Sequence, residues 1–287
     1  MFNETYKLAN GIEIPKIGLG TWLLDNAQAA QAVLDAISIG YRHIDTAQAY
    51  MNEAGVGEGI CSSGVAREEL FITTKVAAEA KTYDAVTQSI DESLAKMGLN
   101  YIDLLIIHSP QPWVEFREEN RYFEENKEVW KAMEDAYRTG KVKAIGVSNF
   151  LQDDVENILA SCEIKPMVNK ILAHVSNTPL ELIEFCKKND ILVEAYSPIA
   201  HGEVVDHAKV KVIADKYGVS VAQICLRYDI QLGLVVIPKT ANLNHMRNNL
   251  ELDFVISDAD METLKNVEHI QNYGEHSFFP VFGGKLK

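Results

Sequence analysis

The sequence predicts an α/β fold, a (β/α)8 TIM barrel with a short N-terminal β-hairpin, and three observations carry the prediction. Eight short β-type runs recur at intervals of roughly 20 to 45 residues, the spacing of strands that each return through a crossover helix. Most are continuous Val/Ile/Leu, as strands covered on both faces should be. No Pro/Ser-rich linker or composition shift divides the chain, so residues 1–287 read as one domain.

In chain order, Tyr6–Ala9 and Ile12–Pro15 flank Asn10-Gly11, a hairpin signal because both residues tolerate positive φ. The eight runs follow: Lys16–Gly20, Tyr41–Asp45, Leu70–Lys75, Asp103–His108, Ala144–Ser148, Met167–Ile171, Ile191–Tyr196 and Leu234–Pro238. Between them the segments read as helical. Val86, Ile90, Leu94 and Met97 make one apolar stripe. Thr178-Pro179-Leu180-Glu181 and Ser220-Val221-Ala222-Gln223 read as capping boxes. Gly40, Gly98, Gly140 and Gly218 sit where helices should end. An open dinucleotide-binding sheet is the rival, but Gly18-Leu19-Gly20-Thr21-Trp22-Leu23 lacks the third glycine of its G-x-G-x-x-G signature.

Composition narrows the function. Hydrophobic residues are 47% and charged residues 24%, an ordinary globular balance. A net charge of −14 disfavours nucleic acid and anionic membrane surfaces as partners. Cys61, Cys162, Cys186 and Cys225 are scattered, which suggests reduced, buried thiols rather than a disulfide framework or zinc ribbon. No targeting or spanning segment is evident, so the expected location is cytoplasmic.

In a barrel of this kind function lies at the carboxyl ends of strands. There the chain places Asp45 with Tyr50, Lys75, His108, Ser148-Asn149, Tyr196-Ser197 and Lys239-Thr240. The first four suit a carbonyl that is protonated as it is reduced. A free phenol, with pKa near 10, is a weak acid at neutral pH. A neighbouring Lys75 ammonium would acidify Tyr50, Asp45 would supply the lysine's counter-charge, and His108 would orient the carbonyl oxygen or help pass the proton. His43, two residues before Asp45 and on the same face, reads as a hydrogen-bonded core histidine.

These residues resemble the aldo-keto reductases. The matching stretches are Gly20-Thr21-Trp22, GYRHIDTAQAYMNE at Gly40–Glu53, LFITTKV at Leu70–Val76 and DLLIIHSP at Asp103–Pro110. GKVKAIGVSNF at Gly140–Phe150, VEAYSP at Val193–Pro198 and VVIPKT at Val235–Thr240 continue the match in family order. The resemblance implies carbonyl reduction by NADPH, with Tyr50 as general acid in a tetrad with Asp45, Lys75 and His108. It implies that Ser148 and Asn149 hold the nicotinamide carboxamide, Tyr196 stacks on its ring, Lys239 and Thr240 grip the 2′-phosphate, and Asn249 meets the adenine. Gly20, Thr21, Asp45, Ser197, Pro198 and Ile199 complete the expected cofactor wall.

Two positions depart from the family pattern. Asn169-Lys170 stands where a Gln is usual, so that carboxamide contact is altered or lost, with Lys170 the cofactor-binding residue expected at this position. His245 stands where an Arg is usual, and Arg247 lies two positions on, about 200° around a helix. NADPH is therefore the expected cofactor, with NADH left open. Trp22 and Trp113, with Tyr50 and His108, would wall the substrate pocket, and Ser109, where many family members carry Trp, would leave it wider or more polar on one side. The tail Ser277–Phe282 either folds over the mouth or docks on the barrel body.

Other readings differ in kind. His43, Asp45 and His108 have the outline of a metal triad, but a neighbouring Lys75 would oppose the ion, so no metal is expected. Lys75 as a Schiff-base nucleophile conflicts with its carboxylate partner, which raises a lysine's pKa. A reductase-like barrel that senses cofactor or regulates a partner would keep the same tetrad. The expected partner is a small carbonyl compound, with the chain a monomer or weak oligomer.

Overall fold

The computed structural model describes residues 4–286. Strands β1 (Thr5–Lys7) and β2 (Glu13–Pro15) pair antiparallel. Eight parallel strands follow: β3 (Leu19–Gly20), β4 (His43–Asp45), β5 (Phe71–Val76), β6 (Ile102–Ile107), β7 (Val142–Ser148), β8 (Val168–Leu172), β9 (Leu192–Tyr196) and β10 (Val235–Ile237). They hydrogen-bond in sequence order, and bridges Ile17–Val236 and Gly20–Lys239 join the first to the last. The cylinder closes there through Gly18 N–Val236 O at 3.0 Å and Gly20 N–Pro238 O at 3.1 Å.

Helices α1 (Asn26–Ser38), α2 (Glu53–Ser62), α3 (Tyr83–Met97), α4 (Phe123–Arg138), α5 (Gln152–Leu159) and α6 (Leu180–Lys188) each return the chain to the next strand. Two helices, α7 (Ala208–Tyr217) and α8 (Val221–Gln231), separate β9 from β10, and α9 (Leu243–Leu250) and α10 (Asp258–Lys265) follow. The stripe on α3 is real: Val86, Ile90 and Met97 are buried, and Leu94 packs half-buried against the same core. Ser220 caps α8 reciprocally with Gln223, and Gly98 and Gly218 end α3 and α7 at φ +64° and +65°.

Alternation along the strands divides the core. Outward residues such as Ile44, Ile72 and Leu105 meet the helices, while Leu104, Ile106, Ala144, Val168, Val235 and Ile237 fill the cylinder. Leu8 and Ile14 of the hairpin join that interior cluster and stopper its amino-terminal end. Chemistry is left to the opposite end. His43 is fully buried with Nε2 3.0 Å from Thr73 Oγ1, the core histidine its strand position suggests. Gly18 makes room for it, since a Cβ there would lie 2.8 Å from the imidazole.

Three local expectations are corrected. The hairpin turn closes from Leu8 to Gly11 (2.8 Å), so Ala9 and Asn10 are its centre and only Gly11 is left-handed, at φ +89°. That is the three-residue loop with a glycine bulge rather than a two-residue turn. Thr178 does not cap α6; its hydroxyl donates to His174 O (3.1 Å) and meets Tyr228 OH (2.8 Å), and α6 begins at Leu180. Of the cysteines, only Cys186 and Cys225 are buried; Cys162 is half-buried and Cys61 exposed, all four as free thiols. No helix among the described residues is long and apolar enough to cross a membrane.

Asp229 on α8 is fully buried, and neither carboxylate oxygen has a hydrogen-bond partner among the described residues. Burial raises its pKa well above the ordinary carboxylate range. Folding therefore favours the protonated acid, and stability falls as pH rises past the unfolded value of about 4. Asp229→Asn should melt a few degrees above the parent at pH 8, with the gap narrowing at pH 4. A gap independent of pH would contradict this.

Candidate active site

The inward positions at the carboxyl ends of the strands hold charge instead of hydrocarbon. Lys75 of β5 donates to Asp45 Oδ1 (2.8 Å) and to Thr46 O (2.6 Å). Lys170 of β8 lies 2.6 Å from Asp45 Oδ2 and 2.7 Å from Glu194 Oε1. The four side chains are at most 3% exposed. An ion so buried costs several kcal/mol unless compensated, and here ammonium and carboxylate alternate along one line. Burial works against the Asp45 charge, but Lys170 and Lys75 outweigh it and bring its pKa down to about 2.

Tyr50 ends a short 3-10 turn after β4 that other side chains pin in place. Gln48 accepts from Ala77 N (2.9 Å) and donates to Ser93 Oγ (3.0 Å). Asn52 donates to Thr21 O (2.8 Å) and Leu24 O (2.9 Å) while accepting from Thr46 Oγ1 (2.7 Å). Lys75 Nζ sits 4.6 Å from the centre of the Tyr50 ring. His108, just past β6, meets Tyr50 edge-on at 5.6 Å and Trp113 at 5.1 Å. Burial and then the Lys75 charge push the His108 pKa well below 6.5, so its imidazole is neutral at pH 7.

The expected acidification of Tyr50 by Lys75 is corrected. Burial first, then the Asp45 and Glu194 carboxylates, raise this phenol above its ordinary value, with Lys170 the opposing cation. Before ligands bind, the group therefore stays protonated and able to donate.

Asp45, Tyr50, Lys75, His108 and Lys170 line one cavity of about 1150 Å³, and the other sequence-predicted site residues line it too. Gly20, Thr21, Ser148, Asn149, Lys170, Tyr196, Ser197, Pro198 and Ile199 run along its wall, and Lys239, Thr240, His245 and Asn249 stand at its far end. Arg247 is absent from the lining, as its rotation around α9 requires. Several polar groups on this wall already hold one another. Thr21 Oγ1 donates to Asp45 O (2.9 Å), Ser148 Oγ donates to Lys170 O (2.9 Å), and Tyr196 OH donates to Asn149 Oδ1 (2.6 Å). Asn149, at φ +62°, also donates to His108 O (3.0 Å). Lys170 lines the same wall, with its ammonium ion-paired to two carboxylates, so it also belongs to the buried charge line.

Aromatic residues make the mouth. Trp22 and Trp113 stand on opposite sides, and Phe279 from the tail bridges them at 5.7 and 4.8 Å. Phe282 packs on Tyr273 (4.7 Å) and His201 (4.7 Å), while His201 lies 4.1 Å from His276. The tail thus folds over the mouth. Ser109 is fully buried outside the lining, and its carbonyl accepts from Lys81 (3.1 Å). Glu194, His201 and His276 were missed from the sequence. Glu194 had a signal, as an acid in an apolar strand two residues before Tyr196 and hence on the same inward face.

A parallel barrel whose carboxyl end gathers a phenol, an ammonium, an imidazole and a carboxylate around a long cleft is an oxidoreductase barrel. The chain belongs to the aldo/keto reductase family, whose profile matches residues 16–269. Glyoxal reductase of Bacillus subtilis (strain 168) is 42% identical over 273 residues, covering 94% of this chain and 95% of that protein. An aldo/keto reductase structure from Brucella melitensis superposes with a TM-score of 0.86 at 38% identity, covering 92% of this chain and 99% of that one. A Bombyx mori aldo-keto reductase in complex with NADP gives 0.86 at 34% identity, with 96% of each chain covered.

Breaking a buried pair costs about 3–5 kcal/mol when one charge is left without a partner. Asp45→Asn should cost about that much in urea denaturation at pH 7, because Lys75 loses its only carboxylate among the described residues. Lys75→Met should cost less, because Asp45 keeps Lys170. The reverse order would contradict the pairing described.

Proposed function

We propose that this chain reduces aldehydes or ketones to alcohols with NADPH, using Tyr50 as the general acid. The observation that carries this reading is the convergence of Asp45, Tyr50, Lys75 and His108 from separate strands and loops on the floor of one cleft. Tyr50 holds its proton until a carbonyl oxygen gains charge, and the Lys75 ammonium under its ring steadies the phenolate left behind. Neutral His108 orients that oxygen. Asp45 holds Lys75 and so fixes where its charge lies. When bound, the reduced nicotinamide supplies the hydride.

The lining suits such a cofactor. The cavity exceeds the 300–1,000 Å³ of a typical small-molecule pocket, leaving room for a dinucleotide and a substrate together. Lys239 is exposed at its far end, without an ion pair among the described residues, and Thr240 is beside it. A cation next to a hydroxyl offers a phosphate charge-assisted hydrogen bonds. Tyr196, held by Asn149, presents a ring to the nicotinamide. His245 in place of a guanidinium weakens the phosphate grip, so NADH is accepted as a poorer substitute. The substrate meets Trp22, Trp113, Tyr50 and His108. The glyoxal reductase relative makes small dicarbonyls the first substrates to assay.

Tyr50→Phe should abolish carbonyl reduction, followed by loss of reduced-cofactor absorbance, while leaving the Kd for NADPH nearly unchanged. Equal loss of both would overturn the acid role. Lys239→Ala removes a hydrogen bond to charge of about 1.5–3 kcal/mol, so the KM for NADPH should rise about tenfold or more. The KM for NADH should barely move. Parallel rises with both cofactors would count against the 2′-phosphate contact.

A further inference from the structure

We infer that Lys170 and Glu194 form a positioning pair whose orientation sets the proton-donating strength of Tyr50. The inference rests on the general-acid reading above and extends it to two residues that do not touch substrate.

Geometry gives the pair a direction. Lys170 is paired in register with Glu194 across β8 and β9, and its ammonium reaches forward to Asp45 Oδ2 at 2.6 Å. Glu194 does not line the cleft; its Oε1 sits behind Lys170 at 2.7 Å, and its Oε2 is 4.0 Å from His43 Nε2. The positive end of this dipole thus faces Asp45, Lys75 and Tyr50, and the negative end faces away. Asp45 is shared between two ammoniums, of which only Lys170 has a second carboxylate among the described residues. Less of the Asp45 charge, which opposes ionisation of the phenol, is therefore left uncancelled than in a simple one-to-one pair.

The charged and titratable groups facing Tyr50 from every side are Asp45 on β4, Lys75 on β5, His108 after β6, Lys170 on β8, and Glu194 and Tyr196 on β9. His108 is neutral, as above, and burial holds Tyr196 protonated. His43 is neutral as well, because burial depresses its pKa. That leaves Lys75 and Asp45 with the new pair as the charges that act on the phenol. Lys170 opposes the rise in the Tyr50 pKa more strongly than Glu194 adds to it, in keeping with the nearer positive end. A purely structural pair would need only mutual neutralisation; the contact to Asp45 is what couples it to the reaction.

The two ends of a dipole can be removed separately, and this gives the test. Glu194→Gln keeps Lys170 and deletes the distant negative charge, so Tyr50 should become more acidic. Lys170→Met/Glu194→Gln deletes both charges without stranding either, so Tyr50 should become less acidic; Lys170→Gln/Glu194→Gln serves if the methionine version does not fold. Two readouts are taken. One is the pH profile of kcat/KM for carbonyl reduction with NADPH. The other is tyrosinate absorbance of each protein minus that of its Tyr50→Phe counterpart, with circular dichroism checking the fold at each pH. The single variant should move both transitions to lower pH and the double variant to higher pH, each by about one unit. Transitions that stay put, or that move the same way in both variants, would overturn the inference. A parent protein that reduces no carbonyl would instead overturn the general-acid reading, and the absorbance difference would still judge the pair.

Discussion

Buried charge cannot stand alone inside a cylinder of hydrocarbon, and the site is built around that constraint. Lys75, Asp45, Lys170 and Glu194 come from four strands, and each is held by the next, so the line exists only when β4, β5, β8 and β9 are in register. A slip by one residue would turn these side chains out among the helices and bring apolar ones in. The charges thereby specify the barrel's alignment as well as its chemistry. The rest of the interior is largely apolar, with Leu104, Ile106, Val168 and Val235 in one cluster with the hairpin's Leu8 and Ile14.

The loop that carries Tyr50 shows how a rigid frame passes position to a reactive group. The strand ends at Asp45, and Gln48 and Asn52 then tie the turn to β5, α3 and the loop after β3. Tyr50 is thus aimed by amide hydrogen bonds instead of by packing alone, and its ring settles over the Lys75 ammonium. The opposite wall is tied by similar means, with Asn149 joining β7 to His108 and Tyr196.

Most of this architecture was legible in the sequence because it rests on local signals. Strand runs, the α3 stripe and the Ser220 box are each written within a few residues, and the polar residues at strand ends follow once the barrel is assumed. Partnerships across the barrel were not legible. The buried ion pairs of Lys170 were not legible because its two carboxylates are remote in sequence, Asp45 well over a hundred residues earlier and Glu194 on the next strand; only the ladder register brings Glu194 beside it. Thr178 looked like a cap because its rival partner, Tyr228, is remote in sequence.

The seam between β3 and β10 has a consequence for how the molecule comes into being. Its bridges, Ile17–Val236 and Gly20–Lys239, join residues separated by nearly the whole barrel. Loop entropy makes such a long-range join a late and slow event. Gly20 and Lys239 also face the same cleft, so a nascent chain has no dinucleotide groove until ring closure is complete. Ligand recognition should therefore appear abruptly at the last step of folding, with no weak precursor in partly built forms.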